Sequence, residues 1–144
     1  MFEKRPRNET CPECGHPQEQ KGTCLMCAPD LPIGELCMDD VTLILYLETC
    51  LVDQRGMVQA IRMNDIDVDN ARTWCEAGLI DFARIPFHDL RKANGGRSTL
   101  AGGPFAFVNT NWIRFTPRAW DIAHRLRRER AERHVDTLVP EAQP

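Results

Sequence analysis

Between residues 41 and 53 the chain reads VTLILYLETCLVD, in which Val41, Leu43, Leu45, Leu47 and Leu51 supply an apolar face and Ile44 and Tyr46 extend it nearly all round. A helix of that kind is a buried one, and Asp39 or Asp40 ahead of it offers a cap. Gly56 interrupts the pattern, and MVQAIRMN at 57–64 is expected to form a short second helix ending near Asn64. In VDNARTWCEAGLI the residues Val68, Ala71, Cys75 and Leu79 recur at helical spacing, with Asp67 or Asp69 as cap and Gly78 as the stop. Two alternating segments follow, LIDFARIPF and FAFVNTNWIRF, each the pattern of a strand with one face on a core. The HDLRKANGGRSTLAGGP between them reads as a long glycine-rich loop. Thr116 and Pro117 then supply an N-cap and a first-turn proline for a last helix through RAWDIAHRLRRERAERH. Ala119, Trp120, Ile122, Ala123 and Leu126 tie its first half to the core, whereas only Ala131, Val135 and Leu138 follow at wide spacing, so its end is expected to project.

Ahead of the first helix lies CPECGHPQEQKGTCLMC, residues 11 to 27, with Cys11/Cys14 and Cys24/Cys27 as two Cys-x-x-Cys pairs. A two-residue gap lets both thiolates of a pair point to one side of a tight turn, and two such turns facing each other complete a tetrahedral shell, so the spacing suits a structural Zn2+ held by all four cysteines. Pro12 and Gly15 are turn residues for the first pair. A disulfide framework would call for a secreted context, and MFEKRPRNET contains no apolar run to act as a signal segment. A redox pair would sit between a strand and a helix, not in a Gly-, Pro- and Gln-rich segment. With four thiolates present, His16 is a bystander. A zinc saturated by cysteine leaves no position for water, and no Ser/His/Asp order, phosphate loop or pair of catalytic carboxylates accompanies it, so an enzyme is not expected. Cys37, Cys50 and Cys75 have no partner spacing and are read as core residues, as are Trp74, Trp112 and Trp120.

Charge changes this picture by its distribution. The 144 residues carry a net charge of −3, but residues 31–90 hold 4 basic and 11 acidic side chains and residues 91–144 hold 10 and 5. The apolar run LILYL is far below the roughly twenty residues that a bilayer requires, so the chain is expected to be soluble and cytoplasmic, without a membrane partner. In the last helix Arg125 with Glu129 and Arg128 with Glu132 lie at ion-pair spacing, which makes it less basic than its arginine count.

CPECG and CLMCA resemble the knuckles of the zinc-ribbon family, although the second lacks the usual glycine. The succession of three helices, a hairpin with a long tip and a closing helix resembles the winged-helix branch of helix-turn-helix proteins. NARTWCEAGLIDF is similar to that family's third helix entering its first wing strand, and IRFTPRAWDIAHRL to its second wing strand and the helix after it. The expected architecture is therefore α+β: a flexible N-terminus (1–10), a zinc ribbon (11–30), a winged-helix domain (36–138) and a flexible tail (139–144).

The resemblance implies a DNA-binding transcriptional regulator, with Asn70, Arg72 and Thr73 of the third helix at base edges of double-stranded DNA and Arg91, Lys92 and Arg97 of the wing at phosphates. It also implies a homodimer joined through the C-terminal helix. Asp65, Asp67, Asp69 and Glu76 oppose a polyanion, so an adaptor of a transcription, replication or phage/mobile-element complex, docking a protein of basic character, remains the other reading.

Overall fold

The computed structural model describes residues 7–95 and 109–139. A hairpin of β1 (Glu9–Thr10) and β2 (Pro17–Gln18) precedes helix α1 (Met38–Asp53), strand β3 (Met57–Val58), a 3-10 turn (Ala60–Arg62), helix α2 (Asp65–Glu76), strand β4 (Ile80–Arg84), helix α3 (Phe87–Ala93), strand β5 (Asn111–Phe115) and helix α4 (Pro117–Leu138). Among the described residues the chain is thus a mixed α+β structure of four α-helices and two small antiparallel sheets, β1-β2 and β3-β5-β4.

α1 occupies the centre because it is apolar on almost every side: Val41, Leu43, Ile44, Leu45, Leu47 and Cys50 are all buried. Its cap is Cys37, which makes no side-chain capping bond; Asp39 and Asp40 lie in the first turn instead, where carboxylates complement the positive end of the helix. The short helix expected at 57–64 is replaced by β3 and one 3-10 turn. Gly56, at φ +83, turns the chain so that its carbonyl accepts from Ile113 N at 2.8 Å, and Met57 and Val58 then pair with Trp112 and Asn111 of β5. Cross-strand pairing outweighs a helical tendency spread over only eight residues.

α2 begins earlier than its apolar spacing suggests. Asn64 is its cap in a reciprocal capping box: Asn64 Oδ1 accepts from Asp67 N at 2.8 Å, and Asp67 Oδ2 accepts from Asn64 N at 3.2 Å. Gly78, at φ +79, ends it as expected. β4 pairs with β5 from Ile80↔Phe115 to Arg84↔Asn111, which places Ile80 and Phe82 on the sheet face turned to the helices. At the start of the expected glycine-rich loop, Phe87–Ala93 forms α3, and Asn94 fastens its end to the segment leading into β5 by donating to Asn109 O (2.9 Å) and accepting from Asn109 N (2.7 Å). Thr116 caps α4 and also donates to Leu79 O at 2.6 Å, joining the helix start to the end of α2.

The core does not stop at residue 36. Leu25, Ile33 and Leu36 belong to the same buried cluster as α1, Trp74 and Leu126, so the cysteine segment is joined to the helical part by continuous apolar packing. Nor are residues 7–10 loose: Glu9–Thr10 is a strand, and Arg7 is ion-paired to Asp69 at 2.6 Å. No helix among the described residues is long and apolar enough to cross a membrane.

Candidate functional site

Cys11 and Cys14 sit at the tip of the β1–β2 hairpin, whose turn is closed by Gly15 N donating to Cys11 O (2.8 Å) and Cys11 N donating to His16 O (3.0 Å). Gly15 there has φ +72, which a glycine adopts without strain. The second turn runs without a glycine: Cys27 N and Ala28 N both donate to Cys24 O, at 3.1 and 3.3 Å. The two turns face each other and bring all four Sγ atoms within 4.8 Å of one another, with Cys14 to Cys24 at 3.7 Å and Cys24 to Cys27 at 3.1 Å. A zinc–sulfur distance of about 2.3 Å in a tetrahedron corresponds to sulfurs roughly 3.8 Å apart, so the thiols fit a metal ion of this size. Cys11 and Cys24 face inward and Cys14 and Cys27 outward.

Electrostatics points the same way. Burial works against the Cys11 thiolate, yet the backbone N–H groups of Cys24, Cys14 and Glu13 donate to it and bring its pKa down to about 6. Cys24 is pushed up, by burial first and then by its thiol neighbour Cys27. For Cys27 the contact with Cys24 favours ionisation, but desolvation and the nearby Cys14 and Cys11 outweigh it and raise its pKa. One thiolate thus opposes the next, and a bound cation is what lets all four ionise together.

His16 is not a ligand; its Nε2 lies 3.3 Å from Asn70 Oδ1. This contact opens a polar chain from the cysteine segment to α2. Asn70 Nδ2 donates to Asp40 Oδ1 (3.1 Å), and Asp40 Oδ2 accepts from Leu25 N (2.7 Å). Asp40 is buried, and desolvation is the main reason that its pKa is pushed up to about 6, against the lowering effect of the Leu25 N–H. On the other side, Arg125 of α4 donates to Leu31 O at 2.8 Å and to Pro29 O, and Glu129, which also accepts from Arg125 at 3.0 Å, takes Ile33 N at 2.9 Å. The expected Arg125–Glu129 pair is present and has a second task, fixing the linker.

Asn70 is therefore not on the outward face where the sequence placed it: it is buried beneath the ribbon and fully engaged with Asp40 and His16. Arg72 and Thr73 are exposed, Thr73 returning its hydroxyl to Asp69 O at 3.0 Å. Arg91 and Lys92 are exposed too, but they lie in the last turn of α3 rather than on a loop; Arg97 falls outside the described residues. Arg7 and Arg84 are not marked by the sequence pattern, and Asp40 is marked there only as a candidate cap. An aspartate beside a leucine-rich helix was the one available signal for Asp40, whereas the partner of Arg7 lies 62 residues away.

Comparison with family models, curated proteins and solved structures returns no match.

Proposed function

We propose that this is a zinc-containing winged-helix protein that binds duplex DNA as a transcriptional regulator. The order α1, β3, the 3-10 turn, α2, β4, α3, β5 and α4, with β4 paired to β5, supports the winged-helix reading. Zinc is the ion that suits four thiolates with no open position. The observation that carries the DNA reading is the Arg7 guanidinium, 2.6 Å from Asp69 and 3.9 Å from Asp65. It pairs with two of the acidic side chains that would repel a polyanion, and Arg72 and Thr73 stand exposed alongside Asp69 and Glu76. Arg91 and Lys92, placed on α3, supply phosphate contacts. On a selected site Arg72→Ala should cost about 1 to 3 kcal/mol in binding, and much less on random duplex. Equal losses on both would remove Arg72 from base recognition, and no affinity in the wild-type protein would remove the DNA reading itself.

A protein-docking role has its own support in a surface lined by Ile33, Glu129, Glu132, Arg133 and Asp136, where Glu132 and Asp136 offer carboxylates to a basic partner beside one arginine. Val135 and Leu138 on the exposed end of α4 would serve a second copy of the chain. A basic partner retained by protein that lacks DNA affinity would favour this second reading.

A further inference from the structure

Beside α2 lies a groove of about 360 Å3 between that helix, the 3-10 turn and the open end of the β4–β5 pair. Val68 and Phe82 form its apolar floor, and Arg72 and Arg84 stand on either element, one from α2 and one from β4. Both guanidiniums are exposed and make no ion pair among the described residues. Asn111, only 8% exposed, accepts from Thr110 Oγ1 at 2.8 Å through its Oδ1, which leaves its Nδ2 as a further donor on the groove wall. The Thr110 hydroxyl is itself occupied in both directions, since it also accepts from Ala60 N at 3.4 Å. No lining residue is acidic. The groove thus offers donors and positive charge above an apolar floor, the complement of an oxyanion attached to a flat apolar body.

We propose that this groove seats one nucleotide unit, its phosphate between Arg72, Arg84 and the Asn111 carboxamide and its base against Val68 and Phe82. The assignment rests on the nucleic-acid reading for the source of the nucleotide and deepens it. The groove adds a contact on the side of α2 facing β4 and enlists Arg84, a residue of the strand. The same chemistry is presented by a free nucleotide and by an unpaired nucleotide of a strand.

The test is chemical-shift perturbation on the metal-loaded full chain, read at the Val68 methyls and the Phe82 ring. The probes are a nucleoside 5′-monophosphate, its parent nucleoside and a short single-stranded oligonucleotide, with random duplex titrated in parallel. A phosphate-bearing probe should shift both residues, the nucleoside should act at least about tenfold more weakly, and the exposed double variant Arg72→Gln/Arg84→Gln should lose about tenfold or more. A response to the oligonucleotide alone makes the strand the source; a response to the monophosphate as well makes a free nucleotide sufficient. Absent shifts, shifts unchanged in the double variant, or a stronger response to an acidic peptide than to any nucleotide would overturn the assignment. Duplex binding without groove shifts refutes the groove and spares the regulator reading, whereas groove shifts without duplex binding do the reverse.

Discussion

Asp40 shows how one buried side chain joins two parts of the chain. It lies in the first turn of α1, receives Leu25 N from the cysteine segment and Asn70 Nδ2 from α2, and is pushed up to about 6 from the ordinary 3.8 chiefly by desolvation. A carboxyl whose folded pKa lies above its unfolded one binds protons more readily when folded. Its ionisation therefore opposes folding above about pH 6, and this opposition is relieved as pH falls from 6 toward 3.8. Equilibrium unfolding of metal-loaded protein from pH 7 to pH 5 should show the wild type gaining stability relative to Asp40→Asn, and parallel profiles would count against the shift. At Gly22 it is the backbone that opposes replacement. It has φ +125, and a Cβ there would stand 2.6 Å from Cys37 N and from Leu36 C, where the Thr23–Leu36 bridge brings the two segments together. Gly22→Ala should destabilise the protein by about 1 to 3 kcal/mol in denaturant unfolding, whereas a loss confined to a few tenths would contradict the close approach.

At the scale of elements, α2 depends on its capping box. Asn64→Ala removes the acceptor for Asp67 N and should cost about 1 kcal/mol, read as a shift in the unfolding midpoint, while the backbone N–H of residue 64 keeps Asp67 Oδ2 as its acceptor. The strong periodic elements were legible in the sequence: α1, α2 with its Gly78 stop, β4, the 111–115 part of the second alternating segment, whose residues 105–108 lie outside the described ones, and α4 with its Thr-Pro start. What escaped was decided by contacts remote in the chain. β3 exists because β5 lies alongside it, and α3 is fastened by Asn94 to a residue fifteen positions on. The cysteine site could be read because its four ligands come in local pairs whose spacing is itself the geometry. Asn70 was misplaced because helical phase alone does not reveal what another segment lays over a face.

For the whole molecule, the consequence is that the metal site and the helical part share one core. Leu25 is fully buried among α1 residues, and Arg125 and Glu129 hold the linker from α4. Chelation, or Cys11→Ser or Cys24→Ser, should therefore weaken the entire chain by at least about 3 kcal/mol in a single transition, followed by helical circular dichroism. Retention of full helical stability after metal loss would mean that the two parts fold separately. The DNA reading is tested most directly by the affinity of metal-loaded wild-type protein for random duplex as a function of salt. Arg91 and Lys92 together should give a slope of log affinity against log salt of about −2. Absence of binding at low salt, or an affinity indifferent to salt, would contradict it.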